Sequence, residues 1–228
     1  MASKKGSSSG TSKGTVASPE PALSKSRIVS DDGLKKLRPV VATKTNEGGA
    51  TVIRPGSTAR SSLGSTDYAF FYHTIFAGLV PPFSKFLCAI LVHYKIHLLH
   101  LQPNSIVILA MFAFLCEAFL GVEPSVELFR HFYSLRVTAG EQRSGCVSFR
   151  IGDGMASCII PLVVTKKVED FRKRWIFMDA REASPHLQIP TGPAVKGSGW
   201  EQVKPSGEVL APLVERMRFL REGGFDEG

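Results

Sequence analysis

The distribution of aromatic residues divides this chain into two parts. All 21 aromatic residues lie between Tyr68 and the C-terminus. The charges divide at the same place: residues 1–66 carry 11 Lys/Arg and 4 Asp/Glu, and residues 67–228 carry 17 and 16. Because a core needs large apolar side chains, we expect the fold to begin near residue 67. The net charge of +8 then belongs mainly to the N-terminal part, which weakens any function that needs a folded basic face.

Residues 1–66 are predicted to be a disordered basic tail. Gly, Ser, Thr and Pro supply 32 of the 66 residues, so the segment buries too little apolar surface to offset the entropy of ordering it. Three interpretations stay open. The tail is a solvated linker, a nuclear-import or phosphate-contacting segment through Lys35, Lys36 and Arg38, or an organelle transit peptide.

Four helices are predicted between residues 67 and 137, from apolar periodicity and from the residues that start and stop helices. Their ranges are Tyr68–Ala77 with Asp67 as N-cap, Pro82–Lys95, Pro103–Leu120 with Gly121 as its stop, and Ser125–Leu135. The third helix is apolar nearly all round, so we expect it at the buried centre of a compact bundle.

Residues 145–180 have the pattern of a small antiparallel sheet. Cys146–Ile151 alternates with period two, Ala156–Val164 is its predicted partner after a Gly-Asp-Gly turn, and Arg174–Met178 is a third strand.

The rest of the chain is predicted to be an irregular Pro- and Gly-rich connection over 181–206, followed by an amphipathic helix over Gly207–Arg221. The apolar stripe of that helix lacks an evident partner. The predicted fold class is α+β, with a helical bundle, a small sheet and a C-terminal helix in one folded region, 67–222.

Neither a membrane span nor a secretory signal is predicted. The longest unbroken apolar stretch, Ile106–Cys116, has 11 residues, whereas a membrane span needs about 20. The four cysteines form no C-x-x-C pair, so we expect thiols in a reducing compartment. We expect an intracellular protein, in the nucleus rather than the cytoplasm.

Glu117 interrupts the apolar run Ile106–Leu120. A buried carboxylate has to be paired or protonated. It is either a general base or a structural buried acid that pairs with Arg130, His93 or His97, and we favour the structural interpretation.

Two groups of residues contain possible metal ligands but lack the complete pattern of a metal site. Three imidazoles follow one another at helical spacing, but the helix is predicted to end among them and no Cys or acid lies beside them. Three carboxylates match the ligand type of a two-metal nuclease, with no sign that they converge. The imidazoles belong to His93, His97 and His100, and the carboxylates belong to Asp153, Asp170 and Asp179. We predict no catalytic site, no cofactor and no metal, and keep a metal-dependent nuclease as the less favoured alternative.

Arg172, Lys173 and Arg174 directly precede Trp175, and Phe177 follows. Cations beside aromatic rings can neutralise and stack on a nucleic-acid single strand. An ordinary exposed strand has the same alternation, and we favour that interpretation.

A series of short motifs between Phe76 and Arg136 is specific in combination. They are Gly78-Leu79, Pro81-Pro82, Phe86-Leu87, Tyr94-Lys95-Ile96-His97, Leu101–Ile106, Leu115–Gly121, and Pro124 with Leu128-Phe129-Arg130. Together they resemble the plant domain family called "putative gypsy type transposon", a transposase-like family. Looser similarity extends over about 68–222, where Ile176 departs from an aromatic pattern of the family.

This resemblance implies an origin in a transposable element rather than an activity, since it brings no catalytic residues to this chain. The sequence also lacks the Y-x-D-D, D-[ST]-G and zinc-knuckle motifs of the enzymes of such elements. We therefore expect a non-enzymatic binding or assembly (gag-like) module whose protein partner, a second copy or an element protein, meets the apolar face of 207–221. The alternative is a nucleic-acid-binding accessory protein that uses its basic tail; no membrane partner is expected.

Overall fold

The computed structural model describes residues 23, 25–43, 52–138, 145–156, 159, 168, 170–180, 185–204 and 210–223. Over these residues the fold is α+β, as the sequence predicts. The helices are α1 Leu37–Thr43, α2 Tyr72–Phe76, α3 Lys85–Tyr94, α4 Pro103–Leu115, α5 Val126–Phe132 and α6 Leu210–Arg221. The strands are β1 Ile53–Pro55, β2 Asp67–Phe71, β3 Tyr133–Val137, β4 Val147–Ile151 and β5 Trp175–Asp179.

A three-stranded antiparallel sheet has β5 at its centre, in the order β1-β5-β2. Trp175 lies opposite Phe71 and Ile176 opposite Phe70, which fixes the register of the strand predicted at Arg174–Met178. The first four residues of β5 are buried, so both of its faces are covered. The prediction of an ordinary exposed strand is therefore wrong for β5, because strands and side chains from three other parts of the chain enclose it.

The first predicted helix is wrong over Asp67–Phe71, which form β2. Its aromatic residues are periodic enough for a helix, but they pair with β5, more than 100 residues away in the chain. Asp67 is consequently not an N-cap. Its carboxylate accepts hydrogen bonds from Arg54 on β1 and from the backbone N–H of Gly64.

The second sheet pairs β3 with β4. The strand predicted at Cys146–Ile151 is confirmed, but its partner is Tyr133–Val137, which the sequence assigns partly to a helix. That helix, predicted over Ser125–Leu135, is α5 and spans Val126–Phe132, with the Ser125 hydroxyl accepting from the backbone N–H of Leu128 as its N-cap. Most of the predicted partner strand Ala156–Val164 lies outside the described residues.

The two central helices are confirmed. Ser84 caps α3 through the backbone N–H of Leu87 at 3.2 Å. Pro103 begins α4, and Gly121, in the left-handed conformation that glycine adopts without strain, follows its end. Between α4 and Gly121 the helix continues as a π turn, Cys116–Leu120.

Aromatic rings from four elements meet in the core beside these helices. The ring of Phe129 on α5 lies 5.1 Å from that of Phe112 on α4, 4.7 Å from Tyr133 on β3 and 4.8 Å from Phe149 on β4. Contacts of this kind between aromatic rings stabilise beyond the apolar area they bury.

The predicted tail boundary at residue 67 is wrong for the described residues before it. Leu34 and Leu37 are fully buried, and β1 pairs with β5. The Ser26 hydroxyl donates to the carbonyl of Trp175 at 2.6 Å, and the backbone N–H of Arg27 donates to Lys173 at 2.7 Å. The short apolar segments before residue 67 cannot form a core of their own. They instead complete the core of the part of the chain that contains the aromatic residues. Residues 1–22, 24 and 44–51 of the predicted tail lie outside the described residues.

The C-terminal helix is confirmed from Leu210 onwards, with Pro212 in its first turn. Its apolar stripe packs against other parts of the chain. Val214 and Met217 are buried in the main core, where α6 packs beside the π turn. This internal packing weakens the prediction that a protein partner meets the 207–221 face, which stays a prediction.

The connection predicted to be irregular is confirmed in its described part, residues 185–204, where two short 3-10 turns are the regular structure. It is nevertheless packed down on the fold. Trp200 is buried, and its indole N–H donates to the carbonyl of Tyr94 at 3.1 Å.

Replacing a buried side chain of the N-terminal segment tests the corrected boundary. We expect Leu37→Ala to lower the free energy of unfolding by about 2–5 kcal/mol, because it leaves a cavity in the core. Val29→Ala, at a position 60% exposed on the same segment, should change it by less than about 0.5 kcal/mol. The measurement is chemical denaturation of both variants, and equal midpoints would contradict the packing of this segment.

Candidate interaction groove on helix α4

Helix α4 and its π turn form an 18-residue apolar rod, Pro103–Leu120, that is buried on one side only. The inward side chains include Ile106, Leu109 and Phe112. The outward positions are also apolar, apart from one acid: Ala110, Phe114 and Ala118 are exposed with Glu117, and Val107 and Met111 are half-buried. The helix is therefore not the fully enclosed centre of the bundle that its composition predicts.

Glu117 is exposed, so the prediction of a structural buried acid at this position is wrong. Its helix presents Ala110, Phe114, Glu117 and Ala118 on the side away from the core. Sequence periodicity finds no polar side in this helix because the exposed side is itself apolar.

The π turn brings together two rings that an α-helix would hold apart. Phe114 and Phe119 are five residues apart, and their rings meet edge to face at 5.7 Å. Five residues correspond to one hydrogen-bonded repeat of a π-helix, in which such residues are neighbours. The exposed ring of Phe114 is thereby supported on its own helix instead of extending freely into solvent.

An apolar groove of about 350 Å³ lies beside this outward face. The turn between α2 and α3 supplies one wall, with Gly78, Pro82 and Phe83, and α4 supplies the other with Ala110 and Ala113. Pro81 and Pro82 are joined by a cis peptide bond. Small side chains on α4 leave the space open, and Phe114 lies one helical turn from Ala110.

By length and composition, Pro103–Leu120 is a helix that could cross a membrane. Within this window 44% of the residues are buried inside the protein, and the core helices of many proteins meet the same criterion.

The predicted N-terminal basic residues are exposed and largely paired with acids. Lys35 contacts Asp32 at 2.8 Å, and Arg38 contacts Asp31 at 3.4 Å. Lys36 is exposed beside them. These contacts offset much of the positive charge that the sequence places here.

The second predicted basic group lies directly before β5. Arg172 and Lys173 belong to a 3-10 turn, Phe171–Lys173, and Arg174 is the residue between this turn and the strand. Trp175 and Phe177 are buried, with 8% and 4% of their surface exposed, so little of either ring is available to stack on a base.

Lys173 has a neighbour that the sequence does not predict. Asp170 lies between Lys173 and Arg27, at 3.1 Å and 3.2 Å. The hydrogen bond from Lys173 and the nearby cations lower the pKa of the Asp170 carboxyl. Asp170 therefore belongs to an ion-pair cluster on the surface.

The three candidate metal-binding aspartates occupy different places. Asp170 is in the ion-pair cluster, Asp179 ends β5 opposite Asp67, and Asp153 follows β4 in the other sheet. No group of three or more His, Cys, Asp or Glu suited to a metal occurs among the described residues.

The candidate histidines bind backbone groups. His93 is on α3, whereas His97 and His100 belong to the following 3-10 turn. The Nδ1 atom of His100 accepts from the backbone N–H of His97 at 3.1 Å, and its Nε2 lies 3.0 Å from the carbonyl oxygen of Gly192. These two contacts require a neutral imidazole protonated at Nε2, and burial lowers the pKa of His100 accordingly.

The groove on α4 is the feature that sequence reasoning missed. A signal for it is present, because a helix taken as the centre of a bundle carries alanines at 110, 113 and 118 where a close-packed centre would favour larger side chains. The second wall comes from a turn whose position depends on tertiary packing.

These observations describe an α+β protein with an apolar groove beside a half-exposed helix. A family model described as "putative gypsy type transposon" matches residues 69–137, which confirms the resemblance over that segment. The segment runs from β2 through α4 to the end of β3 and contains the groove. A search of curated proteins and a search of solved structures found no match.

Acidification tests the neutral state of His100. Because burial lowers its pKa in the folded protein, the unfolded chain binds more protons as the pH falls through about 6.5, and the free energy of unfolding decreases from pH 7 to pH 5. We expect the free energy of unfolding of the His100→Gln variant, which retains a donor for the carbonyl oxygen of Gly192, to decrease less steeply over the same pH range. Parallel pH profiles of the two proteins in urea denaturation would contradict this assignment.

Proposed function

We propose that this chain is a non-catalytic protein-interaction module of transposable-element origin that binds protein through the groove and the outward face of α4. The observation that carries the proposal is the exposed ring of Phe114 beside an open apolar groove. Monomeric proteins rarely expose contiguous apolar patches larger than a few hundred Å², and large patches often mark interaction sites.

The composition of the outward face supports a protein partner. Glu117 is its one ionisable side chain among Ala110, Phe114 and Ala118. Interface centres are poor in charged residues and rich in aromatic residues and methionine. Met111 and Phe114 on this face fit that pattern.

The charged residues give less support to nucleic-acid binding or to catalysis. Positive charge that is paired with nearby carboxylates neutralises fewer phosphates, and the affinity for nucleic acid depends on that number. The described candidate carboxylates do not meet at one place, as a two-metal site requires. We therefore place the gag-like binding role ahead of the nucleic-acid accessory role and the nuclease.

A photocrosslinking amino acid at the groove tests the proposal. We expect the full chain with benzoylphenylalanine in place of Phe114 to form covalent protein adducts upon irradiation in cells, because a partner covers this side chain. The matched control carries the same group in place of Phe219, which is 52% exposed against 53% for Phe114 but lies on α6. Adduct masses are read by gel and mass spectrometry.

The absence of protein adducts at position 114, or equal adducts at 114 and 219, would contradict the proposed interaction site. Adducts that identify any protein specifically at position 114 support it.

A further inference from the structure

We propose that the occupant of the α4 groove is a second copy of this chain, in a two-fold dimer in which Phe114 of each copy enters the groove of the other. This inference rests on the proposed function and names its partner. Phe114 lies one helical turn from Ala110, which lines the groove, so the ring and the cavity belong to one surface, as in a self-complementary two-fold interface.

The geometry favours an antiparallel pair of α4 helices. If the two-fold axis crosses the outward face at the level of position 112 along the helix, residue 114 of one copy lies opposite residue 110 of the other. Ala110 and Ala113 line the groove, so each ring meets small side chains and the walls formed by Pro82 and Phe83. A groove of about 350 Å³ has room for a phenyl ring, since a cavity of roughly 150 Å³ accommodates benzene.

The charge of Glu117 agrees with this orientation. In the antiparallel pair Glu117 of one copy lies opposite residue 107 of the other copy, so the two Glu117 carboxylates are about 15 Å apart along the helices. A parallel pair would instead place the two Glu117 carboxylates close to each other.

The size of the surface sets the expected strength. An 18-residue helix is about 27 Å long and about 10 Å wide. With the groove walls added, we expect a total buried area at or below about 1,200 Å², which is typical of weak and transient complexes. The dimer should therefore dissociate in the micromolar range, so that occupancy of the groove depends on local concentration.

Sedimentation equilibrium of the full chain between about 1 and 200 µM tests the proposal. We expect a monomer–dimer equilibrium for the wild type and a dissociation constant about 100-fold higher for Phe114→Glu, because the symmetric dimer loses two buried rings. Phe219→Glu is the matched control and should leave the equilibrium unchanged. Circular dichroism checks that each variant is folded, and the exposed position of both rings makes retention of the fold the expected result.

A mixing experiment separates a ring-in-groove contact from other dimers. Phe114→Ala removes the ring and keeps the groove, whereas Ala110→Trp fills the groove and keeps the ring. Each variant alone should be mostly monomeric. Their equimolar mixture should contain heterodimers, since one intact ring can enter one intact groove and the other contact has neither ring nor cavity.

Several outcomes would overturn the dimer. They are a wild type that is monomeric at 200 µM, a dimer that Phe114→Glu leaves intact or that Phe219→Glu weakens equally, and a mixture with no more dimer than its components. Binding of the monomer to phosphatidylcholine vesicles, lost in Phe114→Glu, would overturn it in favour of a lipid surface. Adducts at position 114 with other proteins alone would overturn the dimer and leave the proposed function standing.

Discussion

The pairing of β5 on both of its edges is the interaction on which the rest of the fold depends. Because β5 is buried on both faces, its backbone N–H and C=O groups need partners from other strands. One partner is β1, from the part of the chain without aromatic residues, and the other is β2, at the start of the segment that matches the family. The 69–137 segment is therefore not a self-sufficient unit, since residues 175–179 pair with its first strand and residues 147–151 with its last.

The groove on α4 follows from this arrangement. The end of β2 leads directly into α2 and the turn at 77–83, so the sheet fixes where that turn lies against α4. The π turn shapes the outward face of α4, because it brings the ring of Phe119 into edge-to-face contact with the ring of Phe114. The groove is thus built by two elements whose separate sequences give no sign that they adjoin.

Sequence reasoning succeeded where the decisive interactions are local. Helix α3 was predicted from its apolar stripe, and α4 from Pro103 and Gly121, which act within one turn of the helix that they start or stop. It failed for Tyr68–Phe71 and for Tyr133–Leu135, where strand partners distant in the chain override a helical pattern. It also failed for Glu117, since periodicity cannot distinguish an apolar side that faces the core from one that faces solvent.

The sequence by itself determined the α+β class, helices α3 and α4, the strand at 147–151 and the family resemblance, because these depend on short-range pattern and backbone preference. Only the tertiary structure decided that residues 25–43 are part of the fold, that the α6 stripe is covered and that the outward side of α4 is not. Burial is a property of the whole chain: an apolar side chain becomes a core residue or an interface residue according to which other segment reaches it.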